Sequence, residues 1–113
     1  MKTLPSPLQS IPLMLPGILL LCCSSPGTNS APVKHVVEIK QMLFQPQEVV
    51  ANPGDTVEWV NHDLVDHDVT EQPNKEWSSS KLSPGQSWKF VVKNSADYYC
   101  SIHQVMKGKI SVR

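Results

Sequence analysis

The sequence has no excess of charge of either sign and no cluster of basic residues. Ten lysines and arginines balance ten aspartates and glutamates over 113 residues, so the formal net charge is zero. Proteins that bind nucleic acid or an anionic membrane surface carry clustered lysine and arginine. The charge pattern therefore argues against both partners. The short length also excludes a multidomain enzyme, because the chain can form only one small domain.

The sequence also lacks an apolar run long enough to span a bilayer. The longest run covers residues 11–23 and is interrupted by proline and glycine, whereas a membrane-spanning helix needs about 20 apolar residues. Residues 24–32, which follow it, are small, polar and turn-forming. We interpret residues 1–30 as a secretory signal peptide and linker, with cleavage after Ser30, although sites after Ser25 or Ala31 fit nearly as well. This interpretation predicts an exported, periplasmic protein.

Two adjacent cysteines leave a second interpretation of this segment open. Cys22 or Cys23 could carry a lipid, which would anchor the exported protein to a membrane. A lipoprotein signal usually has a small residue before the cysteine, whereas Leu21 precedes Cys22. We therefore expect soluble export and keep the lipid anchor as the alternative. Beyond such an anchor, no membrane contact is expected.

Cysteine is scarce in the remainder of the chain, residues 31–113. Cys100 is the one thiol after residue 30, which excludes an internal disulfide there. A domain of about 80 residues lies near the lower limit for a stable core, and a bound metal often supplies the missing stability. The composition therefore favours a metal site.

Residues 31–113 alternate between apolar and polar side chains over short segments. The alternation predicts strands at 33–40, 48–51, 56–61, 87–93, 97–100 and 107–113. Turn-forming residues at 52–55 and 83–86 separate strands, and 72–82 predicts a long loop. No segment has helical periodicity beyond a turn or two. The pattern is typical of an antiparallel β sandwich with seven or eight strands.

The segment before the last strand contains three potential metal ligands. Cys100, His103 and Met106 follow one another at a spacing of three residues. Side chains of an extended strand alternate between its two faces, so these three can converge only where the chain bends. A second imidazole must come from elsewhere, and His67 suits best because it follows a loop and leads into a strand. A thiolate, two imidazoles and a weakly bound thioether are typical of type 1 copper.

The other histidines fit this set less well. His62 competes with His67, but it lies at the start of the loop and is expected to be solvated. His35 lies on the first predicted strand and is expected to be a surface side chain. We therefore expect neither of them to bind the metal.

Three acidic residues surround His67 in the sequence: Asp63, Asp66 and Asp68. The simplest interpretation is a solvated acidic loop. A sharper hypothesis concerns Asp68, whose carboxylate would join the two ligand-bearing loops if it accepted hydrogen bonds from Ser101. Its negative charge would then favour Cu(II) and lower the reduction potential.

With these motifs the sequence resembles the cupredoxins, in particular the amicyanin-like and plastocyanin-like electron carriers of bacteria. The resemblance covers residues 33–113. The motifs are Phe44-x-Pro46, Gly54-Asp55-Thr56-Val57-x-Trp59-x-Asn61, Asn61-x-Asp63-x-x-x-His67, Leu82-x-x-Gly85 and Tyr99-Cys100-x-x-His103-x-x-Met106-x-Gly108. Asp68 and Gln104 depart from the family pattern, which commonly has asparagine or threonine at the first position and often proline at the second.

The resemblance implies a cupredoxin-like Greek-key sandwich that holds one type 1 copper ion. His67, Cys100 and His103 would be the equatorial ligands, and Met106 the axial ligand. The implied function is transfer of single electrons between redox proteins, which make transient contacts near His103. The surrounding docking surface would include Ile102, Val105 and Leu64.

Electron transfer has three competing functional classes: a copper carrier or sensor, an enzyme, and a metal-free interaction sandwich, against which the intact ligand set argues. A periplasmic carrier or sensor could bind copper for delivery instead of electron transfer. An enzyme is not expected, because copper nitrite reductases and multicopper oxidases need several more histidines than the four in this chain. A small, nearly neutral domain without an apolar stripe is expected to be a monomer.

Overall fold

The computed structural model describes residues 2–5, 12–19 and 30–113. Most of the predicted signal segment, including Cys22 and Cys23, lies outside the described residues. No helix in the described part of the chain is long and apolar enough to cross a membrane. The strands are β1 Lys34–Lys40, β2 Leu43–Gln45, β3 Glu48–Ala51, β4 Thr56–Asn61, β5 Thr70–Gln72, β6 Ser87–Val91, β7 Ala96–Tyr99 and β8 Lys107–Val112.

The eight strands form two four-stranded sheets. One sheet has the order β2-β1-β4-β6, and the other has the order β3-β8-β7-β5. Buried apolar side chains from both sheets form one cluster. The predicted all-β sandwich of seven or eight strands is therefore confirmed.

The sheets are mixed, although local turn patterns had suggested antiparallel pairing throughout. β1 pairs with β4 in parallel, and β3 pairs with β8 in parallel. The other strand pairs are antiparallel. Parallel strands require a long connection rather than a hairpin. A turn motif in the sequence shows only where the chain reverses, so these long-range pairs had no local signature.

The alternating side chains of β4 show how the core is filled. Val57, Trp59 and Asn61 are fully buried, whereas the residues between them are partly exposed. The Trp59 ring lies 5.3 Å from the Tyr98 ring and 5.6 Å from the Trp88 ring, centre to centre. The aromatic residues predicted for the core or its rim do lie there, with Trp88 and Phe90 partly buried against it.

One strand, β2, was missed by the sequence pattern. It contains three residues, which is too short for alternation to be recognised. The strand expected after His67 is present as β5. The long loop predicted at 72–82 is present, and Trp77 from this loop packs against the core. The loop also forms isolated bridges, from Ser78 to Thr70 and from Leu82 to His67.

His35 has a structural partner, contrary to the expected surface role. Its Nε2 atom lies 2.9 Å from Asp55 Oδ2, and only 26% of its side chain is exposed. The Asp55 carboxylate also accepts hydrogen bonds from the amides of Val33 and Asn52. The bonds from Val33, His35 and Asn52 lower the pKa of Asp55 to about 2. This carboxylate therefore ties the start of β1 to the turn before β4.

We expect Asp55→Asn to lower the free energy of unfolding at pH 7 and to reduce its pH dependence in acid. The carboxyl pKa rises from about 2 in the folded protein to 3.8 without these contacts. Ionised Asp55 therefore stabilises the fold above about pH 4, and the effect is lost as the pH falls towards 2. Urea unfolding at several pH values checks this, with exposed Glu76→Gln as the control. Equal pH slopes for wild type and Asp55→Asn would contradict it.

Candidate metal centre

Three potential ligand atoms converge at one end of the sandwich. Cys100 Sγ lies 3.7 Å from His67 Nδ1 and 4.0 Å from His103 Nδ1. The two Nδ1 atoms are 3.2 Å apart. Cys100 and His67 are completely buried, whereas His103 is partly exposed. The structure thus brings together residues that are up to 36 positions apart in the sequence.

Backbone hydrogen bonds hold the two segments that carry these atoms. His67 pairs with Leu82 through hydrogen bonds of 3.1 and 2.7 Å in the two directions. Cys100 follows β7, and its amide donates to the Met106 carbonyl at 3.1 Å. The Met106 amide in turn donates to the His103 carbonyl at 3.0 Å. The chain therefore bends after β7, as the three-residue spacing predicted.

Met106 belongs to the same bend and is 1% exposed. Its backbone contacts to Cys100 and His103 close the loop between β7 and β8. A buried thioether in this loop is a soft donor. Met106 therefore lies buried in the loop that also carries Cys100 and His103.

The three donor atoms fit a single metal ion. A point in their plane that is equidistant from all three lies about 2.1 Å from each, close to common metal–imidazole and metal–thiolate bond lengths of about 2.0–2.3 Å. His67 Nε2 lies 2.8 Å from Asp63 Oδ2, so the ring proton is placed on Nε2, where it can donate to the carboxylate. This tautomer leaves a lone pair on Nδ1, facing the other two donors.

Asp63 is therefore part of the site, and its interpretation as a solvated residue is wrong. Its carboxylate also accepts hydrogen bonds from the amides of Gln41 and Met42. Burial raises the pKa of Asp63, but the bonds from Met42, His67 and Gln41 outweigh it, so the pKa lies below its usual value. The sequence did contain a signal for this role, because Asp63 lies four residues before His67 in the motif Asn61-x-Asp63-x-x-x-His67.

Asp68 is buried as well, and its predicted contact with Ser101 is present. Asp68 Oδ1 accepts the Ser101 amide at 2.7 Å, and Oδ2 accepts the Ser101 hydroxyl. Thr70 Oγ1 donates to the same carboxylate at 3.0 Å. The Asp68 amide lies 3.4 Å from Cys100 Sγ, as a donor to the sulfur. Asp68 thus joins the two segments that carry the candidate ligands.

Two other residues near His67 in the sequence, His62 and Asp66, lie outside the cluster of candidate ligands. The His62 side chain is 49% exposed, and its nearest charged partner is Glu38 at 3.8 Å. The Asp66 side chain is 41% exposed and lies 3.8 Å from Lys81. The solvated interpretation is therefore correct for these two residues.

Taken together, the two sheets and the cluster of sulfur and nitrogen donors define a small β sandwich with a metal centre at one end. The family model for copper binding proteins of the plastocyanin/azurin family matches residues 31–113. The chain belongs to this family of copper-binding proteins. The resemblance found in its motifs is thereby confirmed.

Known relatives agree with this assignment. Amicyanin from Paracoccus denitrificans is 29% identical over 83 residues, which are 68% of this chain and 63% of the relative. This chain thus matches less than two thirds of that relative's length. The solved amicyanin of Paracoccus versutus matches with a TM-score of 0.61 and 30% identity, over 71% of this chain and 81% of its own.

One similar structure comes from a much larger protein. A copper-containing nitrite reductase from Thermus scotoductus matches with a TM-score of 0.65 and 28% identity. The match covers 74% of this chain but 23% of the reductase chain. The similarity therefore concerns one part of that protein.

We expect Asp68→Asn to raise the reduction potential of the copper-loaded protein. The substitution removes a buried negative charge that favours Cu(II). A unit charge about 8 Å away contributes about 2 kcal/mol at an effective dielectric constant of 20, which corresponds to tens of millivolts. Voltammetry measures the shift, with Asp97→Asn as a control that removes an exposed carboxylate from β7. An unchanged potential in Asp68→Asn would remove the electrostatic role.

Proposed function

We propose that this protein carries single electrons between redox partners through one type 1 copper ion. His67, Cys100 and His103 would be the equatorial ligands, with Met106 as the weak axial ligand. The convergence of one sulfur and two ring nitrogens carries this proposal. Bound copper would supply the one-electron couple between Cu(II) and Cu(I).

The surroundings of the four residues suit electron transfer. Cys100, His67 and Met106 are buried within the sandwich and held by backbone hydrogen bonds. Such restraint limits the rearrangement of ligands between oxidation states. Both thiolate and thioether also suit Cu(I), so the reduced state remains bound. No substrate bond has to be made or broken.

His103 is the proposed point of electron entry and exit. It is the partly exposed member of the cluster, and exposed apolar side chains occur in the adjoining segments. Leu64 is 94% exposed, Val105 87% and Ile102 47%. Apolar surface of this kind supports brief contacts with redox proteins. The protein would act as a monomer in these encounters.

An enzyme is not favoured by the donors available. Among the described residues, one group of histidine, cysteine and acidic side chains is close enough to hold a metal ion. His35 contacts Asp55, and His62 is exposed near Glu38. Neither joins a second cluster there. The alternative function is therefore copper delivery, which would use the same ligands with rapid exchange of the ion.

We also propose that residues 1–30 direct export and are removed, leaving a soluble periplasmic protein. The short apolar run and the polar segment after it support this proposal. Expression of the full chain in a bacterial host, followed by intact-mass measurement, tests it. We expect a periplasmic species that starts at Ala31. A species that starts at Cys22 or Cys23 with added lipid would favour the anchor, and an uncleaved chain would refute both.

We expect Cu(II) to give the protein an intense blue absorption band and narrow copper hyperfine splitting in EPR. Both features arise from the bond between copper and the Cys100 thiolate. Cys100→Ser should abolish them, whereas the matched control His62→Ala should retain them because His62 lies outside the cluster. A pale, tetragonal spectrum unaffected by Cys100→Ser would refute electron transfer and favour copper delivery. Fast self-exchange with a reversible couple would favour the electron carrier.

A further inference from the structure

We infer that Asp63 is a positioning residue that joins the turn between β1 and β2 to His67, so that this remote turn helps to set the metal centre. The inference rests on the proposed function in taking His67 as a copper ligand. It adds to that function a segment, Gln41 and Met42, that contributes no ligand.

The turn has an unusual backbone for its sequence. Lys40 pairs with Leu43, so Gln41 and Met42 form a two-residue hairpin loop. Their φ angles are 53° and 60°, both in the left-handed region. Loops of this kind usually contain Asn-Gly or Asp-Gly, because other residues adopt the conformation at a cost. Gln-Met therefore needs support from outside the turn.

Asp63 provides that support through two hydrogen bonds. The Gln41 amide donates to Oδ1 at 2.7 Å, and the Met42 amide donates to Oδ2 at 3.0 Å. Successive amides in a turn form a concavity that binds an anionic oxygen. The carboxylate of Asp63 occupies this concavity, although it lies more than 20 residues further along the chain.

The same carboxylate holds the imidazole of His67. Oδ2 accepts both the Met42 amide and His67 Nε2, the latter at 2.8 Å. Asp63 is itself fixed at its backbone, because its amide donates to Asn61 Oδ1 at 2.9 Å. Asp63 Oδ2 therefore contacts both the turn and the His67 ring, and it orients the ring so that Nδ1 faces Cys100.

A double-mutant cycle in the metal-free protein tests the contact with the turn. Asp63→Ala should lower the urea midpoint of unfolding. The substitutions Gln41→Asn and Met42→Gly favour the same turn without hydrogen bonds to Asp63. In a protein that carries both, Asp63→Ala should lower the urea midpoint of unfolding by a smaller amount. Equal losses in both backgrounds would overturn the coupling between Asp63 and the turn.

The imidazole of His67 provides a second readout in the metal-free protein. Long-range proton–nitrogen NMR spectra identify which ring nitrogen carries the proton. We expect Nε2–H in the wild type and a mixture of tautomers in Asp63→Ala. Asp63→Asn should restore Nε2–H, because its amide oxygen can still accept from His67, but it should lose the bond from the Gln41 amide, since a side-chain NH2 group cannot accept it. An unchanged tautomer in Asp63→Ala would overturn the orienting role.

The decisive variant leaves Asp63 intact and moves the turn. Insertion of one glycine between Gln41 and Met42 should shift the copper hyperfine splitting and the reduction potential of the copper-loaded protein. For comparison, Asp63→Ala should weaken Cu(II) binding tenfold to a hundredfold. The same insertion between Asn74 and Lys75, another turn with a positive φ, is the control. If only Asp63→Ala changes the site, the turn is not coupled to it. If the wild type forms no blue site, the proposed function fails, while both metal-free tests still judge the contacts of Asp63.

Discussion

The Cys100 sulfur and the ring nitrogens of His67 and His103 face one another across 3.2 to 4.0 Å in a largely buried space. Burial removes the water that would otherwise solvate these polar atoms. A rigid surrounding structure keeps them within reach of one metal ion. The sandwich, the bend after β7 and the bridge between His67 and Leu82 supply that rigidity.

Two carboxylates, the buried Asp68 and the partly exposed Asp63, complete this support in different ways. Asp63 binds the far side of the His67 ring and the turn between β1 and β2. Asp68 binds Ser101 and thereby connects the segment of His67 to the loop of Cys100. Both side chains are carboxylates that accept hydrogen bonds close to the candidate ligands. The geometry and the charge of the site thus depend on the same side chains.

The difference between these two carboxylates shows what sequence reasoning could reach. The contact between Asp68 and Ser101 was predicted because, in the family that the sequence resembles, the position after the first ligand histidine links the two ligand loops. Asp63 was interpreted as solvated because its partners Gln41 and Met42 belong to a distant turn without the usual turn sequence. Both parallel strand pairs were missed for a related reason: each depends on contacts between distant segments.

The sequence by itself determined the class of the protein, its alternating strands and the spacing of Cys100, His103 and Met106. These features are local, because side-chain periodicity and ligand order are properties of neighbouring residues. Only the tertiary structure decided which carboxylates are buried, how His67 is oriented and how the two sheets combine parallel with antiparallel strands. These features depend on hydrogen bonds between segments that are not neighbours in the sequence, such as the bonds from Gln41 and Met42 to Asp63, and no local pattern encodes them.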